Sequence, residues 1–151
     1  MAQSSYTTLA AFFETGDRPT ASNFADLIET AVVGPAYSNQ VTLTTATTLS
    51  VATHGLHPIL VTGTTTVTLP GVAVGASFWI INGNADGTAI TVAPNSSDMF
   101  LIDAAGAGGT NNKHITNTAG TAIKGDYVKL TYGSGDGWTI VELAGTWADE
   151  S

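Results

Sequence analysis

Cysteine is absent from this chain of 151 residues, and charge is scarce. Without thiols there is no disulfide framework and no thiolate metal site, and redox chemistry says nothing about compartment. Lys and Arg together number 4 and Asp and Glu 12, for a net charge of -8. The basic footprint that nucleic acid demands is missing, so no nucleic-acid partner is expected. No apolar run approaches the roughly 20 residues that cross a bilayer, and no membrane partner is expected. The opening "MAQSSYTTLAAFF" lacks the basic start and apolar stretch of a secretory signal. Synthesis in the cytoplasm of the producing cell is therefore expected.

The shortage of charge is the most informative of these absences. Charged residues make up 11% of the chain, against about 25% in an average domain. A monomer of this mass exposes on the order of 7,000 Å². That leaves one charge per roughly 450 Å². Mean hydropathy is +0.19. Thr is the commonest residue, so neutral hydroxyls coat part of this surface. Sparse charge does little to oppose association, so neighbours are expected to cover another part.

What is present changes period along the chain. In "SYTTLAAFFET", Leu9, Phe12 and Phe13 fall at i, i+3, i+4, with Ser5 placed to cap and Gly16 to stop a helix. A second helix is signalled by Phe24, Leu27, Ile28, Ala31 and Val32 on one face. Ser22 is its expected N-cap, Asp26 lies near the positive end of its dipole, and "GP" at 34–35 ends it. Asp17-Arg18-Pro19 is the expected turn between the two. Each helix is shorter than the roughly 12–15 residues needed for marginal independent stability. Their shared apolar stripe must therefore pack on the chain's own body, on sister copies or on a host assembly.

From residue 41 the period becomes two. "VTLTTATTLSV" and "TAITVAP" alternate apolar and polar residues, "HPILVTGTTTVTLPG" carries Ile59, Val61, Val67 and Leu69, "DMFLID" reads as a short strand or edge, and "HITNT", "GDYVKLTYG" and "WTIVELAG" complete the series. "ASFWIING" is almost wholly apolar and reads as a central strand covered on both faces. "NGNADG" and "SGDG" read as hairpin turns, the second joining the clearest hairpin of the chain. Roughly eight short strands at spacings of 8–12 residues mark a sandwich or jelly-roll-like barrel. "AAGAGGTNN" reads as a loop.

Candidate chemistry is thin. His54 and His57 stand three apart, but Gly55 and Pro58 break any regular helix between them, so a turn before a strand is expected and not a metal site. "NGNADG", Asn82 to Gly87, imitates the start of a calcium loop; Ala93 stands where the bidentate Glu belongs, so at most a weak surface calcium site would form there. Asp98, Asp103, Asp126 and Asp136 have no spacing that pairs two of them as glycosidase acids. No nucleophile triad or phosphate loop is visible, so neither an enzyme nor a cofactor is expected. Among the tryptophans, Trp79 reads as core packing, and Trp147 in "GTWADES" as the exposed one.

The run "TTATTLSVATHGLHPILVTGTTTVTLPGVAVGASFWIIN", followed by "GTAITVAP" and "GDYVKLTYGSGDGWTIVELAGTW", resembles a recurrent β-rich module of tailed-bacteriophage virion proteins. The elements that carry the resemblance are Val67–Pro70, Gly75–Ile81, Ile90–Pro94 and Gly125–Val141. "FFETGDRPTASNFADLIET" is similar to a helical segment near the start of phage tail-fibre and related structural proteins. The resemblance covers most of the chain. It implies a virion structural role: fibre, tail component or capsid decoration. The chain ends at residue 151, where a fibre continues into a shaft, so a compact decoration protein is expected.

These readings combine into one expectation. The fold class is mainly β, an antiparallel β-sandwich or jelly-roll-like body with a short N-terminal helical hairpin. Residues 1–37 form the assembly or attachment segment and residues 38–151 the β-sandwich domain. The protein is expected to be a homotrimeric cement protein in the virion, bound to the major capsid protein or other virion proteins. Leu9, Phe12, Phe13, Phe24, Leu27, Ile28 and Trp147 form the expected assembly interface. The alternative is a short tail or head fibre component, or a receptor- or carbohydrate-binding module using loop 104–112 and Trp147.

Overall fold

Alternating aliphatic and hydroxyl side chains favour extended backbone with one buried face. In the computed structural model these stretches form eleven strands among the described residues, which are 20–24, 40–55, 57–63, 65–72, 75–102, 104, 106, 108–135 and 137–150. They are β1 (Val41–Leu43), β2 (Thr47–Thr48), β3 (Pro58–Val61), β4 (Thr66–Thr68), β5 (Ser77–Asn82) and β6 (Thr91–Ala93). β7 (Met99–Ile102), β8 (Ile115–Asn117), β9 (Tyr127–Ser134), β10 (Gly137–Ala144) and β11 (Trp147–Asp149) complete them. The chain divides into two units, Met1–Ser38 and Asn39–Ser151. All eleven strands belong to the second.

Strand order is β1-β3-β5-β9-β10-β7 in a six-stranded sheet and β11-β8-β6-β4-β2 in a five-stranded one. One apolar cluster draws residues from both, so the body is a two-layer, sandwich-like β fold. The mainly β class is as expected. The pairing is mixed where uniform antiparallel pairing was expected. β1–β3, β3–β5, β2–β4, β4–β6 and β7–β10 are parallel. The cause is the route of the chain. From β1 to β6 each strand lies in the opposite sheet to the one before it, so every second strand returns beside its predecessor in the same direction. Short corners such as residues 44–46 switch sheets and do not reverse the chain. "NGNADG" is one such crossing, from β5 to β6, and not the hairpin turn expected of it.

Stacked circuits place like residues above one another. Val41, Ile59 and Ile80 are in register, as are Val67, Val92 and Ile115. Ile59, Ile80, Val67, Val92 and Ile115 are all buried. The column Leu43–Val61 ends differently, on Asn82. That side chain is 1% exposed. It donates to Asn117 Oδ1 at 2.7 Å and to the Thr88 carbonyl at 2.8 Å. Asn117 in turn donates to Asp126 Oδ2 at 2.9 Å and to the Thr146 carbonyl at 3.0 Å. Backbone bonds from Asn82 N to Asp126 O and from Gly125 N to Asn82 O close the cluster. Gly145 completes it by omission. Its φ is +94°, and a Cβ there would lie 2.2 Å from Asp126 Cγ.

Other elements depart from the sequence reading. Val51 is not in a strand: Val51–His54 is a single helical turn, capped by Ser50 Oγ accepting the Thr53 N–H, and its Val51 is exposed. The strand "ASFWIING" is interior to its sheet, but buried and open positions alternate along it, so one face is uncovered among the described residues. "GTWADES" is not a tail, because Trp147 to Asp149 pairs with β8. In the first unit residues 21–24 are helical. Thr20, not Ser22, caps them, with Asn23 Oδ1 accepting the Thr20 N–H at 2.7 Å and Thr20 Oγ1 accepting the Asn23 N–H at 3.3 Å. This reciprocal pair is a capping box with Asn in the usual Glu position. The first expected helix, its connecting turn and the rest of the second lie outside the described residues.

Two substitutions test the corner. Asn117→Leu removes the shared donor and acceptor and strands Asn82 and Asp126; the expected loss is roughly 2–4 kcal/mol. Gly145→Ala adds backbone strain and drives a methyl into the Asp126 carboxylate, with an expected loss of similar size, about 2–4 kcal/mol. Urea unfolding followed by circular dichroism measures both; midpoints within experimental scatter of the unsubstituted chain would refute the corner's role.

Candidate functional site

The outer face of the six-stranded sheet carries a group of four interacting side chains, Trp79, Tyr127, Lys129 and Glu142. Register aligns Trp79 of β5 with Lys129 of β9, and Lys129 with Glu142 of β10. Tyr127 lies two residues before Lys129 and so shares its face. Lys129 Nζ bonds Glu142 Oε2 at 2.6 Å, and the Tyr127 hydroxyl donates to Glu142 Oε1. The ammonium stands 5.0 Å from the Trp79 ring centre and 5.3 Å from that of Tyr127. The two rings meet edge to face at 6.0 Å and 78°. Trp79 remains 39% exposed.

A β-bulge makes this group. Thr139 pairs with Thr131 and Ile140 with Leu130, but Glu142, not Val141, pairs with Lys129. Val141 is the extra residue and is 62% exposed. Strict alternation after the half-buried, core-packed Ile140 would turn Glu142 inward. The bulge turns it outward instead and returns Leu143 to the core.

The hydrogen bonds set the electrostatics. Lys129 first, and Tyr127 second, hold the Glu142 carboxyl below the usual carboxylate range. The bond to Glu142 pushes both the Lys129 ammonium and the Tyr127 phenol above their ordinary values. The group is exposed, so water and salt screen these effects.

A second feature is a cleft of about 230 Å³ lined by Phe100, Gly108, Gly109, Thr110, Lys113, His114, Asp149 and Glu150. It borders the loop that sequence reasoning paired with Trp147 as a sugar site. Its polar groups are turned on one another. His114 Nδ1 lies 3.0 Å from Glu150 Oε2, the His114 N–H donates to the same oxygen, and Asp149 Oδ1 accepts the Ala104 N–H at 2.8 Å. Gly109 passes so close to β7 that a Cβ would fall 1.6 Å from the Phe100 carbonyl oxygen. Trp147 does not present its ring as expected: it packs on the core and donates its indole N–H to the Ala144 carbonyl at 2.8 Å. The exposure of the two tryptophans is therefore the reverse of the sequence reading, with Trp79 outside and Trp147 half-buried.

The remaining candidates are scattered. His54 Nδ1 accepts the Ser50 N–H at 3.0 Å. Asn82 and Asn84 of the calcium-like stretch are buried, Asn82 Oδ1 accepts the Asn84 N–H, and Asp86 accepts the Lys124 N–H. Asp98 is buried and accepts the Val72 N–H at 3.0 Å, while Asp126 belongs to the corner cluster. Asp103 and Asp136 lie outside the described residues. Among the described residues no three His, Asp or Glu side chains gather as metal ligands. Of the expected assembly residues, Phe24 is 48% exposed. Leu9, Phe12, Phe13, Leu27 and Ile28 lie outside the described residues. Sequence reasoning did not single out Tyr127, Lys129 or Glu142. The hairpin register was the available signal for the first two, and Glu142 needed the bulge.

The outer-face group has a defined pH window. Glu142, a depressed acid, contributes stability that is present above its unfolded pKa and lost as pH falls through its folded value. Lys129 and Tyr127, both raised, contribute below their unfolded pKa values and lose this as pH rises through the folded ones. Tryptophan emission is therefore expected to hold steady between these limits and to shift on the acid side below the ordinary carboxylate range. Glu142→Gln should abolish that acid shift; its persistence in the variant would assign it elsewhere.

No family model matches the chain, and no curated protein matches it either.

Proposed function

We propose that the protein is a structural component of a tailed-phage virion, a homotrimeric capsid decoration protein seated on the major capsid protein. The observation that carries this reading is the surface chemistry. Lys129–Glu142 and His114–Glu150 form ion pairs between described residues. The five-stranded sheet carries Thr48, Thr66, Thr68, Thr91 and Thr116 at its exposed and half-buried positions. A neutral hydroxyl face can be covered by a neighbour without burying charge. The buried polar side chains Asn82, Asn84, Asp98, Asn117 and Asp126 are spent on holding loops and sheets together, as suits a rigid building block. Phe24, exposed on its capped helical turn, supports the first unit as the attachment element. Attachment through several copies at once multiplies affinity without stronger single contacts.

Sedimentation equilibrium at micromolar concentration is expected to give three chains per particle. Removing residues 1–38 should leave the β circular-dichroism signal intact and abolish binding to capsids lacking the protein. A monomer in the first measurement, or full capsid binding by the truncated chain in the second, would sink this reading.

A further inference from the structure

We propose that the outer face of the six-stranded sheet is a binding site for a neutral polysaccharide, with Trp79 as the stacking ring and Glu142 and Lys129 as hydrogen-bonding partners. Three observations carry it, none of which depends on the assembly role.

The first is the open ring of Trp79. A large aromatic partly open to solvent in the middle of a sheet, two strands in from β1, is an apolar surface on which the C–H face of a pyranose can lie. Pro58 and Leu60, the cross-strand partners of Trp79 and Ile81, widen the apolar floor on one side. On the other, Lys129 and Glu142 line the same face with polar groups across two more strands, a span of about 10 Å. That length accommodates adjoining sugar rings.

The second is the unspent hydrogen-bonding capacity beside the ring. Glu142 accepts one bond at each carboxylate oxygen, from Tyr127 and from Lys129, and a carboxylate oxygen can accept more than one. Lys129 directs one bond to Glu142, and an ammonium has three donors. Vicinal sugar hydroxyls both donate and accept, and so match this pair. The side chains are already braced by one another, so binding would freeze little additional motion.

The third is charge, which selects among occupants. Lys129 and Glu142 cancel within the patch, while the chain as a whole carries -8. An acidic glycan is repelled at long range, and a neutral one is not. A protein partner or second copy fits less well. It would seal an ion pair at the centre of a contact, where charged residues are depleted and desolvation offsets much of their attraction. A sugar leaves the pair wet and replaces water with hydroxyl.

The test uses the full chain with cellohexaose, maltohexaose and chitohexaose as probes. Isothermal titration calorimetry is expected to give saturable binding to at least one at millimolar concentration. Trp79→Ala should weaken it about tenfold or more, and Glu142→Gln about threefold. Both sites are exposed, and circular dichroism verifies folding; Trp79→Phe, which keeps a ring, should retain part of the affinity. No binding to any probe, or equal binding by Trp79→Ala, overturns the proposal. Sedimentation of Trp79→Ala should match that of the unsubstituted chain; dissociation of the oligomer would make this face a contact between copies and overturn it too.

Discussion

Asn82, Asn117 and Asp126 sit where an aliphatic column between the two sheets gives out, and the fold turns on their mutual hydrogen bonds. Burying such groups without partners costs about 1–3 kcal/mol each, more for a carboxylate. Here the partners come from residues far apart in the chain: β5, the end of β8, the residue before β9, and the carbonyls of Thr88 and Thr146. Aliphatic columns can slip past one another at modest cost, since one methyl resembles the next. A carboxamide that must meet a particular carboxylate cannot. The cluster therefore sets the register in which the parallel circuits β1 to β6 meet the antiparallel pairs β9–β10 and β8–β11.

That junction explains why the sheets are mixed. Three circuits alone would leave raw parallel edges at β5 and β6. β9 covers the first and β8 the second, each running antiparallel to its neighbour. The β9–β10 hairpin then extends the larger sheet, and β7 returns to close its far side. The parallel half repeats one path, a strand in the larger sheet, a corner and a strand in the smaller one. The antiparallel half supplies the residues that differ from it: Asp126, Lys129, Trp138 and Glu142.

Much of the β character was legible in the residues and little of the pairing was. Alternation in "TVT", "TVA" and the last hairpin marks a strand with one buried face but does not give the direction of its neighbour, and β4 and β6 alternate although they pair in parallel. The difference lay in the corners, which join sheets: the one between β5 and β6 carries Asn82-Gly83 and Asp86-Gly87, pairs that ordinarily mark a reversal, and crosses to the other sheet instead. The apolar run around Trp79 hid its open face because an exposed tryptophan and a buried one are written alike. Asn82 looked like part of a turn because its partner Asn117 is 35 residues away. β11, at three residues and following Gly145, offered too short a pattern to register. Glu142 was illegible for a further reason: its direction depends on the bulge at Val141, and a period of two places it on the wrong side.

Interior and surface are linked through that hairpin. Asp126, fixed in the corner, is followed at once by Tyr127, whose strand carries Lys129 out beneath Trp79. On the next strand Trp138 is buried against Phe78 at 5.5 Å, which anchors the start of β10. Between these two anchors the bulge must fall where Ile140 and Leu143 both reach the core, and the only residue then left to face Lys129 is Glu142. The outer-face group is thus a consequence of core packing at both ends of one hairpin. A chain with so few charges thereby places one of its four cations and one of its twelve acids at this crossing.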